Sequence, residues 1–206
     1  MQLIGMLDSP FVRRTAISMQ MLGIAFEHRS LSVFRDFDAF RRINPLVKAP
    51  TLICDDGVQL VDSGLIIDYL ESTVAPDKRL LPAEPASRRA ALRLIGVALL
   101  AAEKSVQVVY ERKRPDELRY QPWLERVAGQ LNAACAILDG EAGTLASPWL
   151  QGDQPGQADI TVAVAWSFIQ LVVPELVAAR DYPALAAFAA RAEQLPAFRA
   201  WPLPTD

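Results

Sequence analysis

Three short segments near the start of the chain hold residue types that could handle a small anion or a thiolate. They are Ser9-Pro10-Phe11, Lys48-Ala49-Pro50-Thr51-Leu52 and Asp62-Ser63-Gly64-Leu65-Ile66-Ile67. The first reads as a strand end turning into a helix, with Ser9 as a hydroxyl N-cap and Pro10 in the first helical position. The second places a proline directly before an apolar run, where its missing N–H is tolerated only at a strand start or edge. The third repeats the helix-start pattern. Two helix N-termini and a proline turn, if brought together, would form a pocket of backbone donors and hydroxyls.

The elements that must position these residues follow from periodicity and breakers. Strands are expected at Leu3 to Met6 and Phe26 to Ser32, with a helix from Pro10 to Gly23 between them and a short helix at Phe37 to Ile43. Asp55-Asp56-Gly57 separates Thr51 to Cys54 from Val58 to Val61 and predicts a hairpin. A helix from Ser63 to Ser72 closes a βαβαββα half whose first strand pair is parallel and whose hairpin adds an antiparallel edge. Composition then changes. Residues 75 to 85 hold Pro76, Pro82 and Pro85 and read as a linker. Beyond them the pattern is helical, with helices expected at Ala86 to Lys113, Asp116 to Leu138, Ala158 to Val173 and Pro183 to Gln194, and a turn near Ala197 to Trp201. The expected class is α/β plus all-α, in two domains, 1–78 and 86–206.

Bulk properties exclude several functions. A chain of 206 residues that is 51% hydrophobic can bury a sizeable core, and its net charge of -3 offers no footprint for nucleic acid. The apolar runs, such as Ile95 to Ala102, are too short to span a bilayer, and no basic stretch leads into an apolar one at the start. No membrane partner, no signal peptide and a cytoplasmic location are expected. Cys54 and Cys135 lie far apart, and His28 is the single histidine. No metal-ligand set or redox dithiol results, the cysteines read as small buried hydrophobes, and a Ser9 hydrolytic triad lacks its parts. The four tryptophans Trp123, Trp149, Trp166 and Trp201 read as packing residues.

With these segments and the Leu80-Leu81-Pro82 joint in place, the chain resembles a cytosolic glutathione transferase of the serine type over nearly its full length. The resemblance implies a thioredoxin-like domain followed by an all-helical one, with glutathione as co-substrate, no metal, and assembly as a homodimer. It assigns Ser9 as the catalytic hydroxyl and Phe11, Lys48, Ala49, Pro50, Asp62 and Ser63 as the glutathione-binding set. A cis Ala49–Pro50 bond would turn the Ala49 backbone toward an extended peptide, Ser63 would hold the γ-glutamyl carboxylate, Asp62 would face the ammonium, and Lys48 would sit near the glycyl carboxylate. Leu7, Phe11, Val106 and Tyr110 would line the site of a small hydrophobic electrophile. Arg14 is expected in a structural pair between domains, and Arg13 or Arg14 could add positive potential to the pocket. Serine at position 9 goes with conjugation in such enzymes, whereas cysteine goes with thiol transfer. The implied activity is glutathione transfer to an electrophile, in a detoxification role. The alternatives are a glutathione-dependent isomerase or reductase, or a non-catalytic binding or regulatory protein of the same fold. Gly156-Gln157-Ala158-Asp159 stands where the family carries a Ser/Thr-x-x-Asp capping box, so one half of the reciprocal cap is expected to be missing.

Overall fold

Four short strands form the sheet of the first half: β1 (Gln2–Ile4), β2 (Glu27–Arg29), β3 (Thr51–Ile53) and β4 (Gln59–Val61). Their order is β2-β1-β3-β4, in a computed structural model that describes residues 1–204. β1 runs parallel to β2 and antiparallel to β3, with Leu3 opposite His28 on one side and Leu52 on the other. β3 and β4 make the antiparallel hairpin, with Leu52 opposite Leu60. The mixed sheet and the βαβαββα order agree with the sequence reading, although β1 and β2 are shorter than expected.

Helix α1 (Pro10–Leu22) starts at Ser9 and Pro10 and stops at Gly23, whose φ of 72° supplies the left-handed turn that returns N–H groups to Gln20 and Met19. Helix α2 (Phe37–Ile43) is short, and helix α3 (Ser63–Thr73) packs against α1. Leu3, Val12, Ala16, Met19, Leu52, Ile66 and Leu70 form the core beneath these elements. Cys54 lies in the same core as a free thiol, in keeping with its reading as a small hydrophobe.

The second half is all helical. It contains α4 (Pro85–Arg112), α5 (Gln121–Gly143), α6 (Gln157–Val172) and α7 (Pro183–Ala192); α4 packs on α5 and α6, and α7 packs on both of those. Asp116–Leu118 is a separate 3₁₀ turn and not the start of α5. Pro122 explains this, because a proline is accommodated in the first helical turn and not in the interior. Cys135 is buried and free, its thiol pushed up to about 12 by desolvation, which makes it inert. Trp149 and Trp166 are buried as expected, whereas Trp123 is exposed. No helix among the described residues is long and apolar enough to cross a membrane.

The chain divides into two compact units, Met1–Leu81 together with the segment from Leu195 onward, and Pro82–Gln194. The last segment thus packs with the sheet half, whereas the sequence reading places it with the helices of 86–206. The cause is Arg13. Its side chain is wholly buried, donates from Nε to the Trp201 carbonyl at 2.9 Å, and lies 5.5 Å from the Phe198 ring centroid. Phe198 sits on the short helix α8 (Pro196–Ala200), and Trp201 stacks on Phe26 at 4.9 Å. A buried guanidinium needs such partners.

The departure from the capping box at Gly156 has a local remedy. Asp159 Oδ2 accepts from the Gly156 N–H at 2.9 Å and Oδ1 from the Leu150 N–H at 2.8 Å. Glycine cannot return a side-chain bond, and Gln151 Oε1 supplies the missing acceptor by taking the Ala158 N–H at 2.7 Å. Asp159 is 1% exposed, and desolvation outweighs its hydrogen bonds, pushing its pKa up to about 6.

Two predictions follow from this folding logic. Asn44, 3% exposed, donates to Thr51 Oγ1 at 2.8 Å and accepts from the Leu46 N–H at 2.9 Å. Asn44→Ala should therefore lower unfolding free energy by about 2–3 kcal/mol, read as a lower urea midpoint at unchanged slope. For Asp159, the folded protein holds the proton more tightly than the unfolded chain, whose carboxyl titrates near 3.8. Its contribution to stability is therefore most favourable below pH 4 and is lost as pH rises through 6, a swing on the order of 2–3 kcal/mol. In urea titrations across that window, Asp159→Asn should flatten this component of the pH dependence while lowering stability overall.

Candidate functional site

Ser9 sits at the N-cap of α1 with an extended backbone (φ −72°, ψ 122°). Its Oγ accepts from the Val12 N–H at 3.5 Å, the outer limit of a hydrogen bond, so the cap holds the hydroxyl loosely. The hydroxyl proton remains available to a further acceptor, beside the positive end of a thirteen-residue helix.

Gly5 brings this helix start against the proline turn. Its φ is +137°, and a Cβ there would come within 2.6 Å of Val12 Cγ2 and 3.0 Å of the Ala49 methyl. The backbone leaving β1 can pass between α1 and residue 49 only as glycine. The Gly5 carbonyl is bound by His28 Nε2 at 2.7 Å, which identifies Nε2 as the protonated ring nitrogen, since a carbonyl only accepts. His28 thereby has a structural place.

The Ala49–Pro50 peptide is cis, and Pro50 is buried. No hydrogen bond occupies the Ala49 backbone among the described residues. The turn is held from behind. Asn44 donates to Thr51 Oγ1, which in turn donates to the Lys48 carbonyl at 2.6 Å. The Lys48 side chain is exposed. Asn44, Thr51 and Gly5 position the turn, yet the sequence signals only a helix end at Asn44-Pro45 and nothing at Gly5.

At the third segment the cap is Asp62, not Ser63. Asp62 Oδ1 accepts from the Gly64 N–H at 2.8 Å and the Leu65 N–H at 3.3 Å, and Asp62 holds φ +71°, ψ 121°. A non-glycine residue in that region is strained, and such strain gathers at ligand sites. Ser63 is 3% exposed, and its Oγ accepts from Arg14 Nη1 at 2.9 Å. The expected Arg14 pair between domains is therefore corrected: Arg14 joins α1 to α3 inside one unit. Burial pulls the Arg14 guanidinium down to about 10, against the attraction of Asp62, so it is still charged at neutral pH.

One unit thus gathers Ser9, Ala49, Pro50, Asp62 and Ser63 around α1. Phe11 and Leu7 are half-buried in the same unit, and Leu7 packs on its core. Val106 and Tyr110 lie on α4 in the second unit, the former half-buried and the latter 51% exposed. No cluster of three or more His, Cys, Asp or Glu suited to a metal ion occurs among the described residues.

Comparison with known proteins gives this arrangement a lineage. Residues 3–78 match the family described as glutathione S-transferase, N-terminal domain, and residues 121–201 match glutathione S-transferase, C-terminal domain. The uncharacterized GST-like protein YibF of Escherichia coli is 28% identical over 82% of either chain. The maleylacetoacetate isomerase of Pseudomonas aeruginosa is 29% identical over 82% of this chain and 76% of its own. Among solved structures, a glutathione S-transferase from Methylobacterium radiotolerans in complex with glutathione sulfonate superposes with a TM-score of 0.90 at 28% identity, covering 100% of this chain and 96% of the other. A glutathione transferase family member from Pseudomonas fluorescens with bound glutathione gives 0.82 at 28% identity, with 99% of each chain covered. In its two matched domains, its mixed sheet and its helical second half, the chain belongs to the glutathione S-transferase family.

Proposed function

We propose that the protein binds glutathione on the Ser9, Ala49–Pro50 and Asp62–Ser63 face and activates its thiol for attack on a small hydrophobic electrophile. The observation that carries this reading is the loosely held Ser9 hydroxyl at the α1 N-terminus, whose proton is free to meet an anion. Glutathione's thiol is mostly protonated at neutral pH, whereas the thiolate is the nucleophile. A hydroxyl donor together with helix N–H groups stabilises the thiolate in preference to the thiol. A lowering of about two pKa units corresponds to roughly 2.7 kcal/mol.

The remaining residues orient the peptide. The Ala49 backbone pairs with the cysteinyl unit as an added strand, Ser63 and its helix N-terminus receive the γ-glutamyl carboxylate, and Asp62, whose Oδ1 already caps α3, offers its carboxylate to the ammonium. Lys48 serves the glycyl carboxylate from solvent, Phe11 borders the tripeptide, and Leu7 and Phe11 give the electrophile an apolar wall. The electrophile's leaving group departs with the electron pair of the broken bond as the C–S bond forms. A second reading, glutathione-dependent isomerisation, is supported by the similarity to maleylacetoacetate isomerases of Pseudomonas aeruginosa and Mus musculus, each 29% identical. There the thiolate would add to an activated double bond and leave again after rotation, so that glutathione is regenerated. A twofold dimer is supported by the exposed Leu65 and Tyr69 on α3 and Leu92 and Leu100 on α4.

Titrating the thiolate ultraviolet absorbance of bound glutathione tests the mechanism. Ser9→Ala should raise the thiol pKa by about two units while leaving affinity nearly unchanged, and equal values in both proteins would refute a catalytic Ser9. Ser9→Cys should gain thiol-transfer activity, since a thiol at a helix N-terminus has a lowered pKa. Turnover of a panel of alkyl halides, aryl halides and cis-enones separates conjugation from isomerisation. Light scattering should return twice the chain mass, and a monomer mass at every concentration would exclude the dimer.

A further inference from the structure

Serine has one proton to donate and a lone-pair oxygen that accepts, whereas arginine only donates. The 2.9 Å contact between Arg14 Nη1 and Ser63 Oγ therefore has one polarity: Ser63 accepts, and its own proton is left to point elsewhere. Nothing among the described residues takes that proton. The donor behind it is a cation at 2% exposure whose Nε, also buried, has no hydrogen-bond partner. The negative group acting on it is Asp62, whose Oδ1 is engaged by the Gly64 and Leu65 N–H groups. A buried positive charge with a neutral hydroxyl for its hydrogen-bond partner is costly until an anion arrives.

We infer that Arg14 is a positioning residue for an anion subsite at Ser63. It fixes the Ser63 hydroxyl as a donor and supplies the buried charge that selects a carboxylate over a neutral amide. The subsite lies where Ser63 begins α3, a helix of eleven residues; with the Gly64 and Leu65 N–H groups taken by Asp62, the Ser63 hydroxyl and the guanidinium behind it act on one bound anion. Building on the glutathione reading, the anion is the α-carboxylate of the γ-glutamyl residue. Arg14 acts on it through Ser63. Arg13, one position earlier, has no part in it, being tied to the Trp201 carbonyl.

Calorimetry with three peptides tests this: glutathione, glutathione amidated at the γ-glutamyl α-carboxylate, and glutathione amidated at the glycyl carboxylate. Wild type should bind the γ-glutamyl amide about 10- to 100-fold more weakly than glutathione, with a smaller loss for the glycyl amide. R14Q should weaken glutathione by a similar factor yet bind the γ-glutamyl amide as wild type does. R14K should recover part of the loss. A common loss toward all three peptides in R14Q would mark Arg14 as merely structural and overturn the inference, as would equal wild-type affinity for glutathione and its γ-glutamyl amide. Wild type that binds none of the three would instead refute the glutathione reading and remove this one with it. Should the variants not fold, nitrogen-edited NMR of the wild-type arginine side chains decides. The buried Arg14 Nε–H signal should shift with glutathione and stay put with the γ-glutamyl amide, and a signal unmoved by both overturns the inference.

Discussion

The N-terminal unit is organised around charge that water cannot reach. Two consecutive arginines on α1 are buried, and because guanidinium stays protonated, each must find oxygen acceptors inside the protein. Consecutive helical residues point in directions about 100° apart, so the two side chains serve different neighbours. Arg13 draws the C-terminal segment onto the sheet half through the Trp201 carbonyl, and Arg14 draws α3 against α1 through Ser63. The first contact decides which residues complete the unit, and the second decides how the Ser63 hydroxyl faces. Stability and site chemistry share one source.

Backbone constraints do the rest of the positioning. Gly5 lets the chain pass between Val12 and Ala49 where any side chain would collide, so the start of α1 and the proline turn lie close together. Asp62 holds φ +71° and offsets part of that cost by accepting two N–H groups of its own helix. Behind the proline turn, the chain of bonds from Asn44 through Thr51 to the Lys48 carbonyl fixes a loop that no sheet pairing could hold. The groups facing a ligand are therefore carried on a preorganised backbone, which lowers the ordering cost of binding.

The helical unit solves a different problem. Its α6 begins at a glycine where a hydroxyl would normally complete the cap, and Gln151, five residues upstream, provides the acceptor instead. The substitution keeps the buried helix start satisfied without a side chain at Gly156, while Asp159 remains as the inward carboxyl.

Much was legible from the sequence because it depends on neighbours in the chain. Ser9-Pro10 and Gly23 bound α1, Asp55-Asp56-Gly57 makes the hairpin, the prolines of 75–85 separate sheet from helices, and the motif order points to the glutathione transferase family. Contacts between distant residues were not legible. Sequence periodicity marks Arg13 and Arg14 simply as charges on a helix, and a charge alone does not say whether it will be solvated or buried; that depends on what packs over it. Asp62 and Ser63 could each cap α3 by type; the fold gives the cap to Asp62 and turns the buried Ser63 oxygen to Arg14. Gly5 looks like any strand-end glycine until Val12 and Ala49 close around it. Local spacing by itself determined the elements, and the motifs they carry supplied the resemblance that the family matches bear out. Tertiary structure decided which polar groups lost water and had to be paired, and with that the donors left to face a ligand.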